Sequence, residues 1–349
     1  MTNRRILLGL VGAAAVALSA GLSATVAAAQ DVTLKLHHFL PIQANIPKSI
    51  LEPWAESVEE ASEGRIKIDR FYGMALGGKP PELMDQVLDG VTDMAFTVTG
   101  YSPGRFPRSE AFELPFMATD AGPTSRAYWD YAEKNMFDAD FEDYKVLAVW
   151  VHGPGLIHST DPVRVPSDLN GMKLRSPTRV TNMMFSELGA TSVGMPVPAV
   201  PEALSKGVID ATVIPWEVTG ALKVPELVTN HTEFGDSVLY TTTFVLALNK
   251  DVWNGMPADL QEILMSKSGA TFSEFGGAQM QRDDAPGRAA AVDLGNNIMT
   301  LSEDEVQMWR DAASGIEAAW IADMDGKGID GAELVQEARD LIAKYTAMQ

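Results

Sequence analysis

Two stretches of the chain are built on one plan. "PELMDQVLDGVTDMAF", from Pro81, and "PEALSKGVIDATV", from Pro201, each open a helix with Pro-Glu and close it with a glycine, Gly90 or Gly207. Each then runs through Val-x-Asp into an apolar strand. Proline suits a first helical turn and glycine the residue after a last one. Helix–Gly–strand is a common unit, so the echo fits either chance or two α/β domains made alike.

The rest of the chain keeps the alternation. "DVTLKLHHF" at 31–39 and "RIKIDRF" at 65–71 alternate apolar and polar residues as strands do. Residues 48–62 carry Ile50, Leu51, Trp54, Val58 and Ala61 at helical spacing, and a further helix is expected around 122–136. "KVLAVWV" at 145–151 reads as a buried strand. After residue 160 the order restarts: "GMKLR" is a strand, "TNMMFSELGA" a helix, and "ATSVGMPV" a strand. "YTTTFVLALNK" at 240–250 is a long apolar strand able to cross between two domains. Residues 257–281, 302–323 and 330–347 read as helices. Strands alternating with helices predict an α/β protein.

The chain start bounds the compartment. Arg4 and Arg5 precede the nearly uncharged run Ile6–Ala29, which ends in Ala27-Ala28-Ala29. That pattern predicts a secretory signal peptide over 1–29, with a membrane anchor as its rival. The remainder suffices for roughly two domains. With 27 Lys+Arg against 47 Asp+Glu, the formal charge is −20, which excludes a nucleic-acid partner that needs a basic face. An anion site must then be made locally against the overall field. Cysteine is absent, which removes disulfide and thiolate chemistry. An exported, acidic, cysteine-free chain suits a periplasm.

Enzyme motifs fall short. "GPGLIH" lacks the third glycine of a dinucleotide loop, and neither a phosphate-binding P-loop nor H-E-x-x-H occurs. "ALSKG" places Ser205 before a strand, whereas a nucleophile elbow follows one. His37 and His38 are adjacent, so a strand sends them to opposite faces and they cannot share a metal. Candidate ligand contacts gather instead at strand ends, where α/β proteins bind small molecules. Arg175 ends "KLR" before Ser176-Pro177, His152 follows "KVLAVWV", Trp216 and Glu217 end "VIPWE", and Thr97, Thr99 and Tyr101 end "AFTVTGY". Phe39 ends the first strand. A guanidinium fork suits a carboxylate bidentately, and a surface ion pair is the competing reading of Arg175.

Several ordered segments resemble the DctP-type solute-binding proteins of TRAP (tripartite ATP-independent periplasmic) transporters. They are "LKLHHFLP", "ELMDQVLDGVTDMAF", "ELPFM", "DLNGMKLRSPT", "EALSKGVIDATVIP" and "YTTTFVLALNKDVW". The resemblance implies a two-domain periplasmic binding-protein clamshell, type II-like, with a long domain-spanning helix and hinge strands. Domain I would comprise 30–152 plus about 241–280, and domain II 153–240 plus about 281–349 with the C-terminal helices. It further implies a small organic anion held between the lobes by Arg175, delivery to membrane permease subunits, and neither catalysis nor a cofactor. The expected binding set is Arg175 with Trp216, Glu217, His38, Phe39, Thr97, Tyr101, His152 and Phe244. Glu217 would accept a hydrogen bond from a ligand hydroxyl or amine, or else sit near a cation; no dedicated metal site is expected.

Two departures from the dicarboxylate pattern narrow the cargo. Gly155 stands near the place of a second arginine, and Ile214 replaces an amide after "GVID". Both add apolar surface, so a monocarboxylate with an apolar or aromatic body is expected. The rival readings are a periplasmic α/β hydrolase or isomerase and a ligand-sensing module.

Overall fold

A computed structural model describes residues 31–348; the expected signal peptide lies outside the described residues. Eleven strands form two sheets among the described residues. The first sheet holds β1 (Val32–His38), β2 (Ile66–Phe71), β3 (Met94–Val98), β4 (Tyr144–Val151) and, from far along the chain, β10 (Thr243–Asn249). The second holds β5 (Leu156–Ser159), β6 (Lys173–Ser176), β7 (Thr191–Gly194), β8 (Ala211–Ile214), β9 (Asn230–Glu233) and β11 (Asn297–Thr300).

The strand orders resolve the sequence echo. The first sheet runs β2-β1-β3-β10-β4 and the second β7-β6-β8-β5-β9-β11. In the first, β1 is parallel to β2 and β3, and β10 is antiparallel to β3 and β4. In the second, β6 is parallel to β7 and β8, and β5 is antiparallel to β8 and β9. The echoed segments lead into β3 and β8, which occupy corresponding places in two lobes of one topology.

The chain crosses between the lobes symmetrically. From β4, residues 152–155 lead into β5; from β9, residues 234–242 lead back into β10. A third crossing is helical. The helices Gly269–Arg282 and Asp284–Asp293 are separated only by Asp283, whose N–H bonds to Gln279 O at 3.0 Å, so the helical path continues. The first packs on β4 and the helix Ala121–Asn135, the second on the helix Trp216–Leu222. Glycines permit both approaches: a Cβ at Gly277 would stand 2.4 Å from Ala121 O, and one at Gly287 2.1 Å from Trp216 O.

The helix Gly331–Thr346, expected with the second lobe, packs instead on the first. Its Leu334, Val335, Ala338 and Ile342 are buried, and Glu337 pairs with Lys134 at 2.9 Å while Tyr345 lies under Arg126. The amphipathic pattern of 330–347 identified a helix with one apolar face but not which lobe that face would cover. No described helix is long and apolar enough to cross a membrane.

Candidate functional site

Strand β6 is stopped by Pro177, which leaves Arg175 near its carboxyl end, facing the cleft between the lobes. The side chain is only 1 % exposed. Nε donates to Met195 O at 2.9 Å, Nη1 donates to Val213 O at 3.1 Å, and Nη2 lies 3.5 Å from the Tyr101 hydroxyl. Among the described residues no carboxylate lies within 4.0 Å of it, although most of the other arginines have one. A buried cation without a counter-ion is costly. The surface ion-pair reading therefore fails, and the guanidinium keeps N–H donors available for an anion in the cleft.

The walls around it are mostly apolar and aromatic. Phe39 meets Tyr101 edge-on at 5.5 Å and stacks on Phe96 at 6.0 Å; Phe96 stacks on Phe244 at 5.4 Å. Phe39, Tyr101 and Phe244 line the cleft, with Ile46 and Val98 from the first lobe and Val197, Ile214 and Val218 from the second. About 410 Å³ of atom-free space, open solvent at its mouth included, lies in the cleft. The lobes are closed on it. Val197 N–H donates to the Tyr101 hydroxyl at 2.8 Å, Asn45 Nδ2 donates to Glu217 O at 2.7 Å, and a Cβ at Gly100 would stand 2.5 Å from Thr178 Cγ2.

His152 forms part of the wall, but both of its ring nitrogens are occupied. Nε2 accepts from Thr242 N–H at 3.0 Å, which leaves Nδ1 to donate to Gly153 O at 2.5 Å. Burial, with Arg175 nearby, lowers its pKa to about 4 and keeps it neutral. It ties the two crossing segments together at the cleft. Glu217, 4 % exposed, also faces the cleft. Its backbone N–H donates to Asp284 Oδ1 at 2.8 Å, and its carboxyl has no hydrogen-bond partner among the described residues. Burial, with Asp284 and Asp283 nearby, pushes that carboxyl well above the usual range.

Three expected contacts lie elsewhere. Pro215 ends β8 and a helix starts at Trp216, so consecutive side chains diverge and Trp216 turns into the second lobe. There it packs 4.9 Å from both His158 and His231, and Nε1 donates to Glu233 Oε1 at 3.0 Å. Thr97 alternates with Val98 along β3, and Val98 is the one that faces the cleft. His38 packs edge-on against Tyr72 at 5.2 Å, and its Nδ1 accepts from Leu40 N–H at 3.2 Å. Sequence reasoning missed Tyr240, whose ring lines the cleft beside Gly155. Its run "YTTTF" reads as strand, although the strand begins only at Thr243. Among the described residues no cluster of His, Cys, Asp or Glu is placed to hold a metal ion.

The family model for DctP, bacterial extracellular solute-binding protein, family 7, matches residues 37–322. The chain belongs to the DctP family. Among solved structures, this DctP protein is similar to a TRAP solute-binding protein from Rhodoferax ferrireducens T118 in complex with copurified benzoate. The two are 45 % identical with a TM-score of 0.89, over 90 % of this chain and 99 % of that one. It is similar, also at 45 % identity, to a marine-metagenome TRAP solute-binding protein specific for aromatic acid ligands, solved with 3-hydroxybenzoate. There the TM-score is 0.88, with the same shares covered. The C4-dicarboxylate-binding periplasmic protein DctP of Rhodobacter capsulatus is 25 % identical over 89 % of this chain and 92 % of its own length. The clamshell is thus that of a TRAP solute-binding protein, and DctP-family binding proteins are periplasmic.

Proposed function

We propose that this DctP protein captures an aromatic monocarboxylate between its lobes and presents it, in the periplasm, to a TRAP membrane permease. One observation carries the reading: Arg175 is a buried guanidinium with no counter-ion among the described residues, set in walls that are mostly apolar and aromatic. A single buried cation matches one carboxylate, and the aromatic walls suit a flat ring by stacking and exclusion of water. The two 45 %-identical structures hold benzoate and 3-hydroxybenzoate, whereas the dicarboxylate binder is more distant, which favours the same ligand class. A ring hydroxyl would reach the Glu217 carboxyl. Burial favours the neutral form of that carboxyl, which can donate as well as accept, so a cation beside it is the weaker alternative. Closure moves the lobe of residues 30–152 and about 241–280 against that of 153–240 and about 281 onward, after a cleaved signal over 1–29. The helix Gly331–Thr346 travels with the first lobe.

The test is calorimetric titration of the purified protein with benzoate, 3-hydroxybenzoate, a 2-oxo acid, succinate and malate. Tightest binding of an aromatic acid is expected. Preference for succinate or malate sinks the reading, and turnover of the bound acid moves the protein to an enzyme class.

A further inference from the structure

We propose that Tyr240 completes the carboxylate clamp, its hydroxyl donating to the ligand oxygen that in a two-arginine site would meet a second guanidinium. The proposal rests on the carboxylate reading above and adds to it a donor that the residue pattern did not reveal.

Tyr240 is 1 % exposed and lines the same cleft as Arg175, yet its hydroxyl is buried with no hydrogen-bond partner among the described residues. Burying a hydroxyl without a partner costs free energy, so each such group in a native fold calls for an explanation. The surroundings offer one. Tyr240 stands within the field of the Arg175 charge, and its ring meets His152 edge-on at 5.5 Å. His152 cannot act as the donor, because its Nε2 already accepts from Thr242 and its Nδ1 donates to Gly153. Gly155, expected near the place of a second arginine, has its side-chain space taken by the Tyr240 ring. Gly155 N–H also donates to Tyr240 O at 3.0 Å, fixing one backbone against the other.

Tyr101 supports the same arrangement from the opposite lobe. Its hydroxyl oxygen accepts from Val197 N–H and faces Arg175 Nη2, while its own hydrogen has no acceptor among the described residues. Burial keeps both phenols protonated, as a donor must be. A carboxylate seated on Arg175 therefore finds two neutral donors and one cation. That set neutralises a single negative charge and leaves none over, which a dicarboxylate would require.

The experiment compares wild type, Tyr240→Phe and Tyr101→Phe by calorimetry with sodium benzoate, together with thermal melts of the ligand-free proteins. Loss of a hydrogen bond to a charged group should weaken benzoate binding by about 10- to 100-fold in Tyr240→Phe. The ligand-free melt of Tyr240→Phe should stay level or rise, because the substitution removes an unsatisfied buried hydroxyl. Benzoate affinity within about twofold of wild type, a change too small for a lost charged hydrogen bond, overturns the proposal. A lowered ligand-free melt overturns it too, because a structural role would then account for any loss. Wild-type protein that binds none of benzoate, 3-hydroxybenzoate and mandelate overturns the aromatic-acid reading, and this proposal with it.

Discussion

The ring of Tyr240 fills the space that a side chain at Gly155 would need: a Cβ there would stand 2.1 Å from Tyr240 Cε1. Gly155 does not adopt a left-handed backbone, so the constraint is steric alone. Gly155→Ala should therefore destabilise the protein by about 1–3 kcal/mol, the usual cost of overpacking. Combining it with Tyr240→Ala should be less harmful than the sum of the two, with a coupling of about 1 kcal/mol or more in a double-mutant cycle. Urea unfolding of the four proteins measures both; strict additivity would show that the two positions do not compete for space.

Removing the cation should abolish capture. Arg175→Ala is expected to weaken benzoate binding by more than about 100-fold, the scale set by breaking a buried charge pair at 3–5 kcal/mol. Arg175→Lys should still lose about tenfold or more, because an ammonium cannot present the planar fork. Calorimetry decides it, and unchanged affinity in the alanine variant would remove Arg175 from the site.

At Glu217 the expected effect depends on the ligand. Glu217→Leu should leave benzoate binding within about threefold of wild type and erase any advantage of 3-hydroxybenzoate, a neutral hydrogen bond contributing about 0.5–1.5 kcal/mol. Glu217→Gln, which can still donate and accept, should keep that advantage. Parallel titrations with the two acids test this, and an advantage that survives in the leucine variant would place the ring hydroxyl elsewhere.

Glu113 predicts a loss of stability as pH rises towards neutrality. Its Oε1 accepts from Thr243 N–H at 3.1 Å and Thr243 Oγ1 at 2.9 Å, and its Oε2 is buried without a partner among the described residues. Burial pushes its pKa up to about 7. The folded carboxyl holds its proton while the unfolded one, near about 4.5, has lost it. Its contribution is complete below about pH 4.5 and is lost as pH rises through 7, by up to about 3 kcal/mol. Denaturation midpoints at pH 5 and pH 8 should show a shallower fall in Glu113→Gln, and equal slopes would contradict the assignment.

The histidine pair behind Trp216 predicts the opposite limb. His158 Nδ1 and His231 Nδ1 lie 2.8 Å apart, and burial lowers the two pKa values to about 3 and about 4. Below about pH 6.5 the unfolded chain takes up protons that the buried pair refuses, so stability falls as pH drops towards 4. Trp216, in contact with both rings, should report the change in fluorescence. His231→Asn should flatten this acid limb in urea titrations, and an unaltered limb would place the sensitivity elsewhere.

The longer strands and helices were legible because apolar spacing carries them; for Arg175 the residues alone left a surface ion pair open, and the resemblance pointed to the cleft, which its side chain lines. Strands β5, β9 and β11 were not legible. Each has four residues, "LIHS", "NHTE" and "NIMT", with no apolar–polar alternation of its own, and each is defined by partners distant in the chain. Trp216 and Glu217 illustrate the same limit within the site. Adjacent in sequence, they part because a helix begins where the strand pattern was extended, and only Glu217 reaches the cleft.

Each sheet takes its antiparallel strand from beyond a crossing. Among the described residues strand β4 has β10 as its only neighbour within the first sheet, and β10 follows the whole run from β5 to β9 in the chain. A chain emerging N-terminus first therefore cannot finish the first lobe until nearly all of the second has appeared, and no cut at the hinge yields either lobe whole. The apolar β4 must stay shielded from other chains during the wait, which makes that strand the segment on which a holding chaperone, or aggregation, would act first.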